Sequence, residues 1–113
     1  MTPTAVHIWE AMRTDESREV EAVLKRAGFD QADAYRYNAA SIRVRVIDPR
    51  FEGLSVEQRY AMVEPPLEQL PERTQTDIIT LHTFAPSELH HSPRMSRQFV
   101  LNAEFDDPSP SML

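Results

Sequence analysis

The sequence predicts a single α+β domain of order α-β-β-α-β, with a small three-stranded mixed sheet and helices on one face. Three observations carry this. A helical apolar repeat runs from Val20 to Ala27 and ends at Gly28. Ile42, Val44 and Val46 alternate with Arg43 and Arg45, which is a half-buried strand. A capped helical segment then separates that strand from the apolar stretch 77–84, far enough for a parallel crossover.

Each element follows from local chemistry. In the N-terminal arm, residues 1–14, Ala5, Ile8, Trp9 and Met12 share one helical face, as a short helix or an extended arm. Thr14 reads as an N-cap with Asp15 and Glu16 in the first turn, which starts a helix over 15–27. Residues 34–37 form a short strand with Tyr35 and Tyr37 on one face. The turn 38–41 joins it to the strand 42–47 as an antiparallel hairpin. Asp48-Pro49 ends that strand. Ser55 and Gln58 make a capping box for a helix over 56–63. Pro65 and Pro66 interrupt it, a second piece covers 66–70, and Pro71 closes the region. In the strand 77–84, Ile79 and Leu81 face one side and Ile78 and Phe84 the other. After a turn or helix start at 85–88, the extension 90–113 is irregular over 90–96. It alternates Phe99, Leu101, Ala103 and Phe105 as a fourth strand, and ends in a flexible tail from Asp106.

Composition bounds the function. The chain has 113 residues, 41% of them apolar, enough for one modest core. No apolar run is long enough to span a membrane, and no signal peptide is visible, so the expectation is a cytoplasmic protein without membrane contact. Absence of cysteine excludes disulfides, a thiol nucleophile and a self-sufficient iron–sulfur site. The formal charge of −6 disfavours non-specific binding to nucleic acid. Glu57, Glu64 and Glu68 read as a solvated helix face, and no serine–histidine triad is apparent, so no enzyme is expected.

The stretch 42–89 resembles the BolA family. Phe51-Glu52-Gly53-Leu54-Ser55 matches the family's F-E-G-x-S loop. Gln58-Arg59-Tyr60 falls where the family reads Q-R-H or R-H. Residues 81–88, LHTFAPSE, match its L-H-T-Y-T-P-E-E ending. With the preceding helix and hairpin, the resemblance covers about residues 15–89. It implies a KH-like fold and a non-enzymatic interaction module. It also implies partnership with monothiol glutaredoxins, a shared [2Fe–2S] cluster, and a part in iron–sulfur homeostasis or stress response. The chain departs from the family at both usual histidines, which are Tyr60 and Asp77 here. A carboxylate is a poor ligand for such a cluster.

The expected partner surface comprises Phe51, Gly53, Ser55, Arg59, Tyr60, Asp77, His82 and Thr83. His82 is also the candidate metal ligand, against a plain reading as a half-buried histidine of the sheet. The adjacent pair His90-His91 is poorly placed for chelation. Arg36, Arg43 and Arg45, with tyrosines for stacking, are the alternative nucleic-acid face. The plain reading of these arginines is a solvated outer sheet face paired to acidic helices. A third alternative is an oligomeric structural module held by the strand 99–105. Monomer and homodimer both remain open.

Overall fold

The computed structural model describes residues 7–90 and 96–112. Ala5, His91, the rest of the irregular segment 91–95 and Leu113 lie outside the described residues. A 3-10 turn, Ile8–Met12, leads into α1, Asp15–Arg26. Thr14 caps α1 reciprocally. Its hydroxyl accepts from the Ser17 N–H, while its own N–H donates to the Ser17 hydroxyl. Gly28 follows at φ +98°, a conformation that side chains other than glycine's rarely adopt.

Strands β1, Gln31–Asn38, and β2, Ser41–Ile47, form the expected antiparallel hairpin. β3, Ile78–Phe84, pairs parallel to β2, giving a three-stranded mixed sheet in the order β1-β2-β3. The crossover differs from expectation. Pro65 and Pro66 do not interrupt α2, which runs unbroken over Val56–Leu67. Their fixed φ suits a helix. Their missing N–H groups deprive the Ala61 and Met62 carbonyls of intrahelical donors, and burial of Val63, Pro66 and Leu67 offsets that loss. A further helix, α3, Glu72–Asp77, precedes β3.

α1 and α2 cover one face of the sheet. Val20, Leu24, Ile42, Val44, Val46, Phe51 and Val63 are fully buried there. β3 carries a register irregularity: Ile42 pairs with Ile78, but Arg43 pairs with Thr80. Ile79 is therefore the extra residue and is 68% exposed, whereas Ile78 and Leu81 pack against the core. This corrects the expected facing of Ile79 with Leu81.

The C-terminal extension also differs. Phe99–Phe105 is not a strand. It lies within α5, Arg97–Asp106, whose N-cap Ser96 accepts from the Phe99 N–H. Only Phe105 of the apolar residues is buried in it. α5 lies across the second face of the sheet, where Phe105 meets Trp9 and Tyr35 at ring distances of 5.6 and 4.8 Å. Both termini thus build a second, smaller core. The expected flexible tail folds back instead. Tyr37 donates to the Ser109 carbonyl, Asn38 to the Ser111 hydroxyl, and the Ser109 N–H to Glu104. α4, Pro86–His90, follows β3 directly. Among the described residues no helix is long and apolar enough to cross a membrane.

Candidate functional site

β3 is an edge strand, and a groove of about 540 Å³ runs along its outer side. The start of α2 forms one wall, with Ser55, Val56, Arg59 and Tyr60. Arg97, Gln98 and Leu101 of α5 form the other. Ser55 enters the wall because its hydroxyl caps α2 by accepting from the Gln58 N–H, which fixes where the helix starts. A second hollow of about 410 Å³ continues past Tyr60 toward Glu64, Glu68 and Gln75. The groove brings together five of the eight residues expected on the partner surface: Ser55, Arg59, Tyr60, His82 and Thr83.

The other three lie apart. Phe51 is fully buried in the main core and is a packing residue. Gly53 adopts φ +76° in the connection before α2. Asp77 accepts a hydrogen bond from Arg36 at 3.0 Å, and the same guanidinium nitrogen reaches Glu16 at 2.9 Å.

Two of the groove residues carry structural loads. Arg59 is buried and donates to the Leu54 and Thr83 carbonyls and to both oxygens of Glu88. Glu88 accepts from the Ala85 N–H as well. Burial alone would raise the Glu88 carboxyl, but these hydrogen bonds outweigh it and hold it low. Tyr60 donates its hydroxyl to the Leu81 carbonyl at 3.0 Å. Arg59 and Tyr60 together tie α2 to the outer edge of β3.

His82 stacks on Phe84 at 5.6 Å and meets Phe105 edge-on at 6.5 Å. Burial first, and then Arg43, Arg45 and Arg97, push its pKa below the usual value of 6.5. The imidazole is therefore neutral at pH 7, as a ligand must be, but its surroundings are cationic. Among the described residues no cluster of three or more His, Cys, Asp or Glu is arranged to hold a metal ion.

These residues do not fit a shared iron–sulfur cluster. Asp77 is a hard ligand already paired with Arg36. Tyr60 has committed its proton to a carbonyl. Asp77 ends α3, whereas His82 lies five residues on in β3, so the two belong to different elements.

The three hairpin arginines are all internally engaged. Arg36 joins Glu16 and Asp77. Arg43 stacks on Tyr37 at 3.6 Å and bonds Tyr35 and Glu104. Arg45 is buried, grips Asp33 through two nitrogens, and bonds Asn102 and Asp106. The alternating arginine face is thus not a solvated surface. The acids that pair with Arg43 and Arg45 come from α5 and β1, and not from the acidic crossover. Neither arginine is presented for a phosphate backbone.

Sequence reasoning missed Ile79, Val56, Arg97 and Leu101 as groove residues. The exposure of Ile79 depends on the β3 irregularity, and that of Arg97 on α5. The one local signal was Ser96 as an N-cap.

The sheet order and the parallel crossover make an α+β fold of BolA-like type. The chain is similar to the solution structure of BolA1 protein from Mus musculus, at 18% identity and a TM-score of 0.53. The match covers 85% of this chain and 81% of that one. No family model matches the sequence, and no curated protein does.

Proposed function

We propose that this chain is a non-enzymatic, BolA-like protein-interaction module. It docks a monothiol glutaredoxin along the outer edge of β3 and does not ligate the partner's cluster. One observation carries the reading: the groove gathers Ser55, Arg59, Tyr60, His82 and Thr83 beside the exposed apolar side chains Val56 and Ile79. Apolar groups left in water beside a strand edge gain free energy when a partner covers them. The misfit of Asp77, Tyr60 and His82 to a cluster supports docking without ligation.

The test is anaerobic size-exclusion of the purified chain with a monothiol glutaredoxin. Co-elution is expected for the natural chain and for Asp77→Ala, and its loss is expected for Ile79→Glu. Ile79 is exposed, so the substitution leaves the core intact. No co-elution with the natural chain removes the glutaredoxin reading. Undiminished co-elution of Ile79→Glu removes the groove from it.

A further inference from the structure

The edge of β3 has a defined polarity of hydrogen-bonding groups. The Phe84 carbonyl accepts from the Asp48 N–H and so points toward the β2 side. The Leu81 and Thr83 carbonyls accept from Tyr60 and Arg59 and so point outward. In an extended strand the N–H and C=O of one residue point to the same side. The N–H groups of Leu81 and Thr83 are therefore directed toward the groove. Tyr60 and Arg59 each occupy one lone pair of a carbonyl and leave a second.

Charge is distributed unequally along this edge. At the end lined by His82 stands Arg97, an exposed guanidinium in the first turn of α5. The field there already disfavours a proton on His82. At the other end, beyond Tyr60, stand the exposed carboxylates Glu64 and Glu68. The floor is apolar at Ile79 and Leu81 of β3, and each wall adds an apolar side chain, Val56 from α2 and Leu101 from α5. The seven residues of β3 span about 23 Å, the length of an extended segment of about seven residues.

Resting on the reading of this groove as a docking surface, we infer that its occupant is an extended segment of a partner protein. The segment adds to the outer edge of β3 as a fourth strand. It places a cationic side chain toward Glu64 and Glu68 and a carboxylate toward Arg97. Backbone hydrogen bonding to the partly exposed Leu81 provides binding, since Thr83 is buried with its carbonyl taken by Arg59, and the two poles set the register. A long strand edge with a protruding apolar side chain is the kind of template such segments pair with.

The experiment uses the full chain and fluorescein-labelled, acetylated peptides, read by anisotropy and by amide shifts of the isotope-labelled protein. The first probe is Lys-Val-Thr-Val-Thr-Val-Glu, in both chain orders, with the tighter order scored. Companions carry Lys at both ends, Glu at both ends, or alternate N-methylated valines. The mixed-charge probe is expected to bind roughly tenfold more tightly than either like-charged probe. N-methylation should weaken it further, and Arg97→Glu should invert the preference toward the probe with Lys at both ends. Amide shifts should centre on 79–83. Equal binding of the N-methylated probe, or shifts elsewhere, overturns strand addition. Failure of every peptide while Ile79→Glu still abolishes glutaredoxin co-elution also overturns it, and leaves the groove as a site for a folded surface. Undiminished co-elution of Ile79→Glu is a separate result that overturns the docking reading itself.

Discussion

Arg36 donates to Asp77 at 3.0 Å, and this pair joins the end of the β1–β2 hairpin to the start of β3. The carboxylate stands where the resemblance to the BolA family implies a ligand histidine. The pair is partly buried and shares its guanidinium nitrogen with Glu16. Asp77 therefore has a structural task that a metal-binding role would disrupt. Asp77→Ala is expected to lower unfolding stability by about 1.5–3 kcal/mol, the usual worth of a charge-assisted hydrogen bond. Urea denaturation measures it. An unchanged midpoint would show that the pair is idle.

The second core depends on α5. Phe105 is fully buried against Tyr35 and Trp9, and Arg45 lies 4.3 Å from its ring. Phe105→Ala should cost about 3–5 kcal/mol. The emission of Trp9, the only tryptophan, should shift to the red as its pocket opens. Intrinsic fluorescence during urea unfolding reports both. A blue-shifted, unaltered emission would mean that α5 does not cover Trp9.

Asp48 predicts the acid limb of stability. Its carboxylate bonds the Arg50 side chain, the Arg50 N–H and the Asp30 N–H, which hold its pKa below the ordinary 3.8. A carboxyl depressed in the folded state stabilises it above the unfolded value, and that stability is lost as pH falls through the folded one. Unfolding stability should therefore drop below about pH 4, and Asp48→Asn should flatten that slope. Denaturation midpoints from pH 2 to 6 test this.

His82 titrates in the opposite sense to a stabilising histidine. Its folded pKa is below 6.5, so the unfolded chain takes the proton first and folding weakens as pH falls below that value. The imidazole carbon resonance followed by NMR should give a midpoint under 6.5. Arg97→Gln should raise it toward the ordinary value. A midpoint above 6.5 would place His82 beside negative charge rather than Arg43, Arg45 and Arg97.

Much of the scaffold is legible locally because its signals are short-range. Thr14 and Ser55 cap the helices that follow them, and Val44 and Val46 alternate with arginines over a real core face. The extension is not legible in the same way. Phe99, Leu101, Ala103 and Phe105 alternate as a strand would, yet only Phe105 is buried in the second core and the others fall around a helix. The arginine face misleads for a related reason. Arg45 looks solvent-facing in β2, and its burial depends on Asn102 and Asp106, which lie 57 and 61 residues away in sequence. The groove was half legible. The family-like segments supplied Ser55, Tyr60 and His82, whereas Ile79 and Arg97 required the strand irregularity and the helix.

Docking without cluster ligation is decided by the visible circular dichroism of a cluster-loaded monothiol glutaredoxin, recorded anaerobically before and after this chain is added. A co-eluting complex whose cluster spectrum is unchanged is expected. An altered spectrum that reverts in His82→Ala would contradict it and make His82 a ligand after all.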